Sequence, residues 1–137
     1  MKNMMIITGV VLLLTSAGIA DEQASPKKYV ATIDKDGYQR VEMTAGEYYF
    51  DPSVVVVKVN VPIELTIRKT GGITPHTFVL KAPEADLDVK IDISTEPKKI
   101  SFMATRTGTY PFECTERFLF FKSHKDRGMH GVLEVVE

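Results

Sequence analysis

The chain has 137 residues, 44% of them apolar and 26% charged, a globular balance that excludes a disordered chain and bounds the fold to one domain. Seventeen basic and eighteen acidic residues leave a formal net charge of −1, so nothing in the overall charge favours nucleic acid as a partner. One cysteine excludes an intrachain disulfide, and three histidines exclude any site built from many imidazoles.

The first twenty residues read as a signal peptide. A short basic start containing Lys2 precedes an apolar run from Met4 to Leu14, and Gly18 and Ala20 give a small-x-small cleavage pattern before acidic Asp21 and Glu22. The run is shorter than the roughly 20 residues of a membrane span. No cysteine follows the cut, so a lipid anchor is excluded as well. The expectation is an exported chain, periplasmic where the host has two membranes, with no span after cleavage. Residues 21–28 read as a flexible polar leader and 29–137 as the folded domain. Export makes the lone Cys114 notable, because an unpaired thiol is a liability in an oxidising compartment. Four explanations stay open on these grounds: an inert core cysteine, a bond to another chain, a metal-bound thiolate, or a nucleophile.

The remaining chain reads as short strands separated by turn residues. Strand patterns cover 29–33, 38–43 and 48–50, with Asp34-Lys35-Asp36-Gly37 as a turn and Asp51-Pro52 as a break. The β-branched run 53–59 follows, then 63–68, which alternates apolar and polar as a half-buried strand does. Gly71-Gly72 turns the chain into 76–80. Residues 83–89 read as a connection with at most one helical turn. Strands at 89–93, 99–103, 108–114 and 131–136 complete the chain. No long helical period appears. The expected fold is all-β, a Greek-key antiparallel β-sandwich of seven to eight strands, with Met43 and Met103 as core fillers.

The soft and imidazole donors fall in two places. His76 opens a strand, while the segment between the last two strands holds Cys114, His124, Met129 and His130. Two imidazoles, a thiolate and a weak thioether are the ligand types of a blue-copper site. The thiolate suits Cu(I), the imidazoles suit both oxidation states, and a sandwich can hold one compromise geometry for both.

At this point the residues resemble the cupredoxins. Phe50-Asp51-Pro52 before Val54–Val57, Val61–Ile67, Thr74-Pro75-His76-Thr77-Phe78, Tyr110-Pro111-Phe112-Glu113-Cys114, and His124-x4-Met129-x-Gly131 occur in that family's order. The resemblance spans most of the mature chain. It implies one type 1 copper ion held by His76, Cys114, His124 and Met129. His130 stands as an alternative to His124 or Met129, or as an outer or solvent-facing residue. Glu113 is expected to point away from Cys114 along its strand.

Nine residues separate Cys114 from His124, more than in small carriers of the family and closer to the type 1 domain of copper nitrite reductases. Cys114 lacks a neighbouring histidine, and three histidines cannot build a second copper centre beside this one. The resemblance therefore carries over the type 1 site and no enzyme activity. It implies a monomeric one-electron carrier whose exposed edge is His124 and whose partner is a cytochrome, oxidase or reductase. The alternative is a periplasmic copper-binding protein for copper tolerance or delivery, with a copper-handling partner. A metal-free adhesion or assembly module is a third reading. Within the long insert, the rings of Phe118, Phe120 and Phe121 are expected to pack over the site and exclude water, with a docking patch as the rival reading. Lys122, Lys125 and Arg127 make this loop basic, suited to an acidic partner.

Overall fold

The computed structural model describes residues 25–117 and 120–137. The predicted signal peptide lies outside the described residues. Among the described residues ten strands form two sheets. They are β1 (Lys28–Val30), β2 (Gln39–Gly46), β3 (Tyr49–Asp51), β4 (Val54–Lys58), β5 (Ile63–Lys69), β6 (His76–Ala82), β7 (Leu87–Ile93), β8 (Lys98–Phe102), β9 (Gly108–Glu113) and β10 (His130–Val136). One sheet runs β1-β4-β10-β9-β6-β7 and the other β3-β2-β5-β8.

The sandwich agrees with the sequence reading, but the pairing is mixed. β4 runs parallel to both β1 and β10, and β2 runs parallel to β5. Strand count also exceeds the expected seven to eight. Two of the strands, β1 and β3, are three-residue edge strands that overlap the sequence segments 29–33 and 48–50. The connection after β6 is a single 3-10 turn at Pro83–Ala85, and β7 starts directly behind it at Leu87.

Alternation explains which side chains meet. Val41 and Met43 on β2 face inward with Ile63, Leu65 and Ile67 of β5, while Glu42, Glu64 and Thr66 point outward. From the other sheet come Val55 and Val57, Phe78 and Leu80, Phe112, and Leu133 and Val135. Phe50, Phe78 and Phe112 form an aromatic cluster with centroids 5.2–5.9 Å apart. Met43 fills the core as expected. Met103 does not: it lies beyond the end of β8 and is exposed.

One buried polar group ties the two layers and a second closes a turn. Gln39 donates from Nε2 to the carbonyls of Lys58 and Val61 and accepts the Lys58 N–H at Oε1, so every polar atom of its amide is used. Tyr110 donates its hydroxyl towards the carbonyls of Arg106 and Thr107, closing the turn that enters β9.

Candidate metal centre

β6 and β9 lie side by side, and this pairing sets two of the donors next to each other. His76 is the first residue of β6, and Cys114 directly follows β9. The third donor comes from the long segment between β9 and β10. Ser123 and Asp126 form a capping box ahead of the 3-10 turn Lys125–Arg127: the Asp126 N–H donates to Ser123 Oγ, and the Ser123 N–H and hydroxyl donate to Asp126 Oδ2. His124 sits inside that box and donates its N–H to the Glu116 carbonyl at 2.9 Å. Gly128 then takes a left-handed conformation, φ +100°, and turns the chain into Met129.

The three donor atoms converge. His76 Nδ1 lies 3.3 Å from His124 Nδ1, which lies 3.5 Å from Cys114 Sγ, and all three lie within 4.8 Å of one another. His76 is 2% exposed, His124 4% and Cys114 0%. Burial pushes both imidazoles below the usual histidine range. For His76 the neighbouring His124 and Lys69 add to that effect, against Glu47. For His124 Arg127 adds to it, while Glu116 and Glu47 oppose it. At most one proton can lie between two Nδ1 atoms 3.3 Å apart. Two imidazole nitrogens and a cysteine sulfur with that convergence fit a single copper ion.

Around the sulfur, Thr77 is the main neighbour. Its N–H donates to Sγ at 3.4 Å and its hydroxyl approaches Sγ at 3.7 Å. The same hydroxyl accepts the Thr115 N–H at 3.0 Å, which ties β6 to the residue after Cys114. Met129 is wholly buried. Its N–H donates to the His124 carbonyl and its carbonyl accepts the Cys114 N–H, so its backbone is bonded to both neighbouring donors. Thr77 and the Ser123–Asp126 box were not singled out in the sequence. A hydroxyl residue directly after His76 and an S-x-x-D pattern around His124 were the signals present.

Other residues fall outside the group. His130 opens β10 opposite Glu113 and is exposed. Glu113 points away from Cys114, as expected from strand alternation, and pairs with Lys125 at 2.6 Å. Two expectations need correction. His124 does not present an exposed edge, because Tyr48 lies over it edge-to-face at 5.2 Å. Nor do the insert rings all pack over the site: Phe120 is fully exposed and Phe121 largely so, while Phe118 lies outside the described residues. A cavity of about 470 Å³ opens beside His124, lined by Tyr48, Thr74, Arg117, Phe121 and Arg127 among others.

A family model described as "Cupredoxin-like domain" matches residues 5–133. No curated protein matches the chain. Several solved structures share its fold. The metal-binding domain of the Cu(I)-exporting P-type ATPase CopA of Streptococcus pneumoniae D39 is 19% identical, with a TM-score of 0.61 over 82% of this chain and 99% of that one. Dithionite-reduced auracyanin of Roseiflexus castenholzii is 21% identical, with a TM-score of 0.57 over 72% of this chain and 97% of that one. The periplasmic domain of cytochrome oxidase subunit II (CoxB) of Bradyrhizobium japonicum is 23% identical, with a TM-score of 0.54 over 72% of this chain and 83% of that one. At these identities the likeness speaks to the fold. The family match takes in all ten strands but the last residues of β10, and on that ground the chain belongs to the cupredoxin-like domain family.

Proposed function

We propose that the chain is an exported mononuclear type 1 copper protein, with His76, Cys114, His124 and Met129 as ligands, acting as a one-electron carrier. The observation that carries this reading is the convergence of two Nδ1 atoms and one Sγ within 4.8 Å in a buried pocket. Copper bound there supplies a Cu(II)/Cu(I) couple. The chain's own part is to hold the donors still. His76 and Cys114 are fixed by paired strands, His124 by the capping box, and the Cys114 sulfur by the Thr77 N–H. Small rearrangement between oxidation states favours fast electron exchange. Four protein ligands leave no open position for substrate, which argues for a carrier over an enzyme.

Copper holding for tolerance or delivery is the second reading, and one observation favours it. His124 is 4% exposed and borders the open cavity, so a redox partner would meet a ligand edge only through that cavity and not on the outer surface. Under either reading the cavity rim, with fully exposed Ile73 beside Arg117 and Lys122, suits a partner with an acidic, partly apolar face. Among the described residues no helix is long and apolar enough to cross a membrane. Export itself rests on the signal pattern of residues 1–20.

Adding Cu(II) to the purified protein tests the site. The expected result is an intense thiolate-to-copper absorption with a narrow copper hyperfine splitting in electron paramagnetic resonance. Cys114→Ser abolishes the colour, and Met129→Leu keeps copper but changes the potential. Colour that survives in Cys114→Ser refutes the ligand set. Rapid electron exchange with a cytochrome, slowing as salt rises, supports the carrier. Copper-sensitive cells on deletion, with slow exchange, support the second reading.

A further inference from the structure

We infer that Tyr48, clamped by Arg127, is the positioning residue that fixes the His124 imidazole and closes it to solvent. His124 lies in a loop segment whose neighbours Lys125, Asp126, Arg127 and Gly128 are all exposed, yet it is itself 4% exposed. What covers it comes from a distant part of the chain. The Tyr48 ring meets the imidazole edge-to-face, with centroids 5.2 Å apart and planes at 76°. Arg127 holds that ring from the outside: its carbon Cζ stands 4.8 Å from the ring centroid, and Nη1 donates to the phenolic oxygen at 3.1 Å.

The backbone supports the same assignment. Tyr48 occupies the tight β2–β3 turn with φ +64°, a left-handed conformation that is costly for a bulky aromatic residue and ordinary for glycine or asparagine. Surrounding contacts must over-determine it: the ring meets His124 and Arg127 and also packs against the hydrophobic core. Next to it, Glu47 accepts the Thr74 hydroxyl at 3.3 Å, which ties the turn to the segment leading into His76. Tyr48, Arg127 and His124 all border the 470 Å³ cavity, so the imidazole's small remaining exposure faces it and the ring has a volume to swing into. The ring therefore narrows the approach from that cavity to the imidazole.

This inference concerns the same site as the copper reading but rests on it only for the second half of the test. In the metal-free protein, diethyl pyrocarbonate acylates accessible neutral imidazoles, and mass spectrometry reads each histidine separately. Exposed His130 is the internal reference. Tyr48→Ala is expected to raise the His124 rate about tenfold relative to His130, as a local cover is lost. Arg127→Gln raises it less, and Tyr48→Phe, which keeps the ring, stays close to the parent. An unchanged His124-to-His130 ratio in both Tyr48→Ala and Arg127→Gln overturns the inference. If Tyr48→Ala fails to fold, Arg127→Gln decides alone. In the copper-loaded protein, azide is expected to add a new charge-transfer band in Tyr48→Ala and none in the parent. Azide binding equally to both overturns the shielding role. If the parent shows no thiolate-to-copper band, the copper reading falls, while the acylation ratio still decides on Tyr48.

Discussion

Thr77 gives the Cys114 sulfur two neighbours from one residue, a backbone N–H at 3.4 Å and a hydroxyl at 3.7 Å. Hydrogen bonds to a metal-bound thiolate withdraw charge from it and favour the reduced metal, so they raise the potential. Removing the hydroxyl in Thr77→Val is expected to lower the potential of the copper-loaded protein. A hydrogen bond of about 1 kcal/mol corresponds to about 40 mV for a one-electron couple. Thr77→Ser should restore most of the loss. Voltammetry of the three proteins checks this, and an unchanged potential in Thr77→Val would show that the backbone N–H alone sets the sulfur's environment. Thr77 was legible only as the residue after His76. That its hydroxyl also accepts from Thr115 is a product of the β6–β9 pairing, which local sequence does not encode.

At the scale of elements, the last turn and the last strand have the narrowest tolerances. Ser123→Ala removes one half of the capping box that frames His124. The expected cost is about 1 kcal/mol in urea unfolding, together with weaker copper retention because His124 is no longer held against Glu116. Gly131 stands where β10 passes β4 and β9, and a Cβ there would run into the Ser53 carbonyl and the Phe112 ring. Gly131→Ala is therefore expected to cost roughly 1–3 kcal/mol through overpacking. An unfolding midpoint equal to the parent's would mean that both Phe112 and the Ser53 backbone can move aside. Both sites had sequence signals, S-x-x-D and a glycine before an apolar alternation. Only the packing of β10 against β4 explains why that glycine has no room for a side chain.

Across the whole molecule, surface charge couples the ends of β2 and β5. Arg40 bonds Asp34, Asp36 and Glu64 together. The Arg40 hydrogen bond lowers the Asp36 pKa from 3.8 to about 2. Glu64 is held below the usual carboxylate range, mainly by its hydrogen bond with Lys99 and then by Arg40. Carboxylates with depressed folded values contribute stability that is complete above their unfolded values and is lost as pH falls through the folded ones. Arg40→Met is thus expected to be less stable than the parent at neutral pH. Its deficit should shrink as the pH drops from about 4 towards about 2, followed by denaturant titration at stepped pH. A deficit that stays constant over that window would assign the loss to the packing of the Arg40 side chain, which lies against Tyr38, and not to its charge.

The sequence by itself determined the β-sandwich class, because period-two alternation and turn residues are local properties of the chain. It also narrowed the copper ligands to very few donors, because one cysteine and three histidines leave little choice. Tertiary structure decided everything that depends on which strands are neighbours. The parallel pairing of β4 with β1 and β10 and of β2 with β5 follows from crossovers that no local pattern records. The same holds for the choice of His124 into the buried group and the exposure of His130, residues only six positions apart. It holds most clearly for Tyr48, which in sequence is one aromatic among the residues of a hairpin. Its contact with His124 joins residues 76 positions apart, and long-range packing of that kind is set by the closed sandwich as a whole.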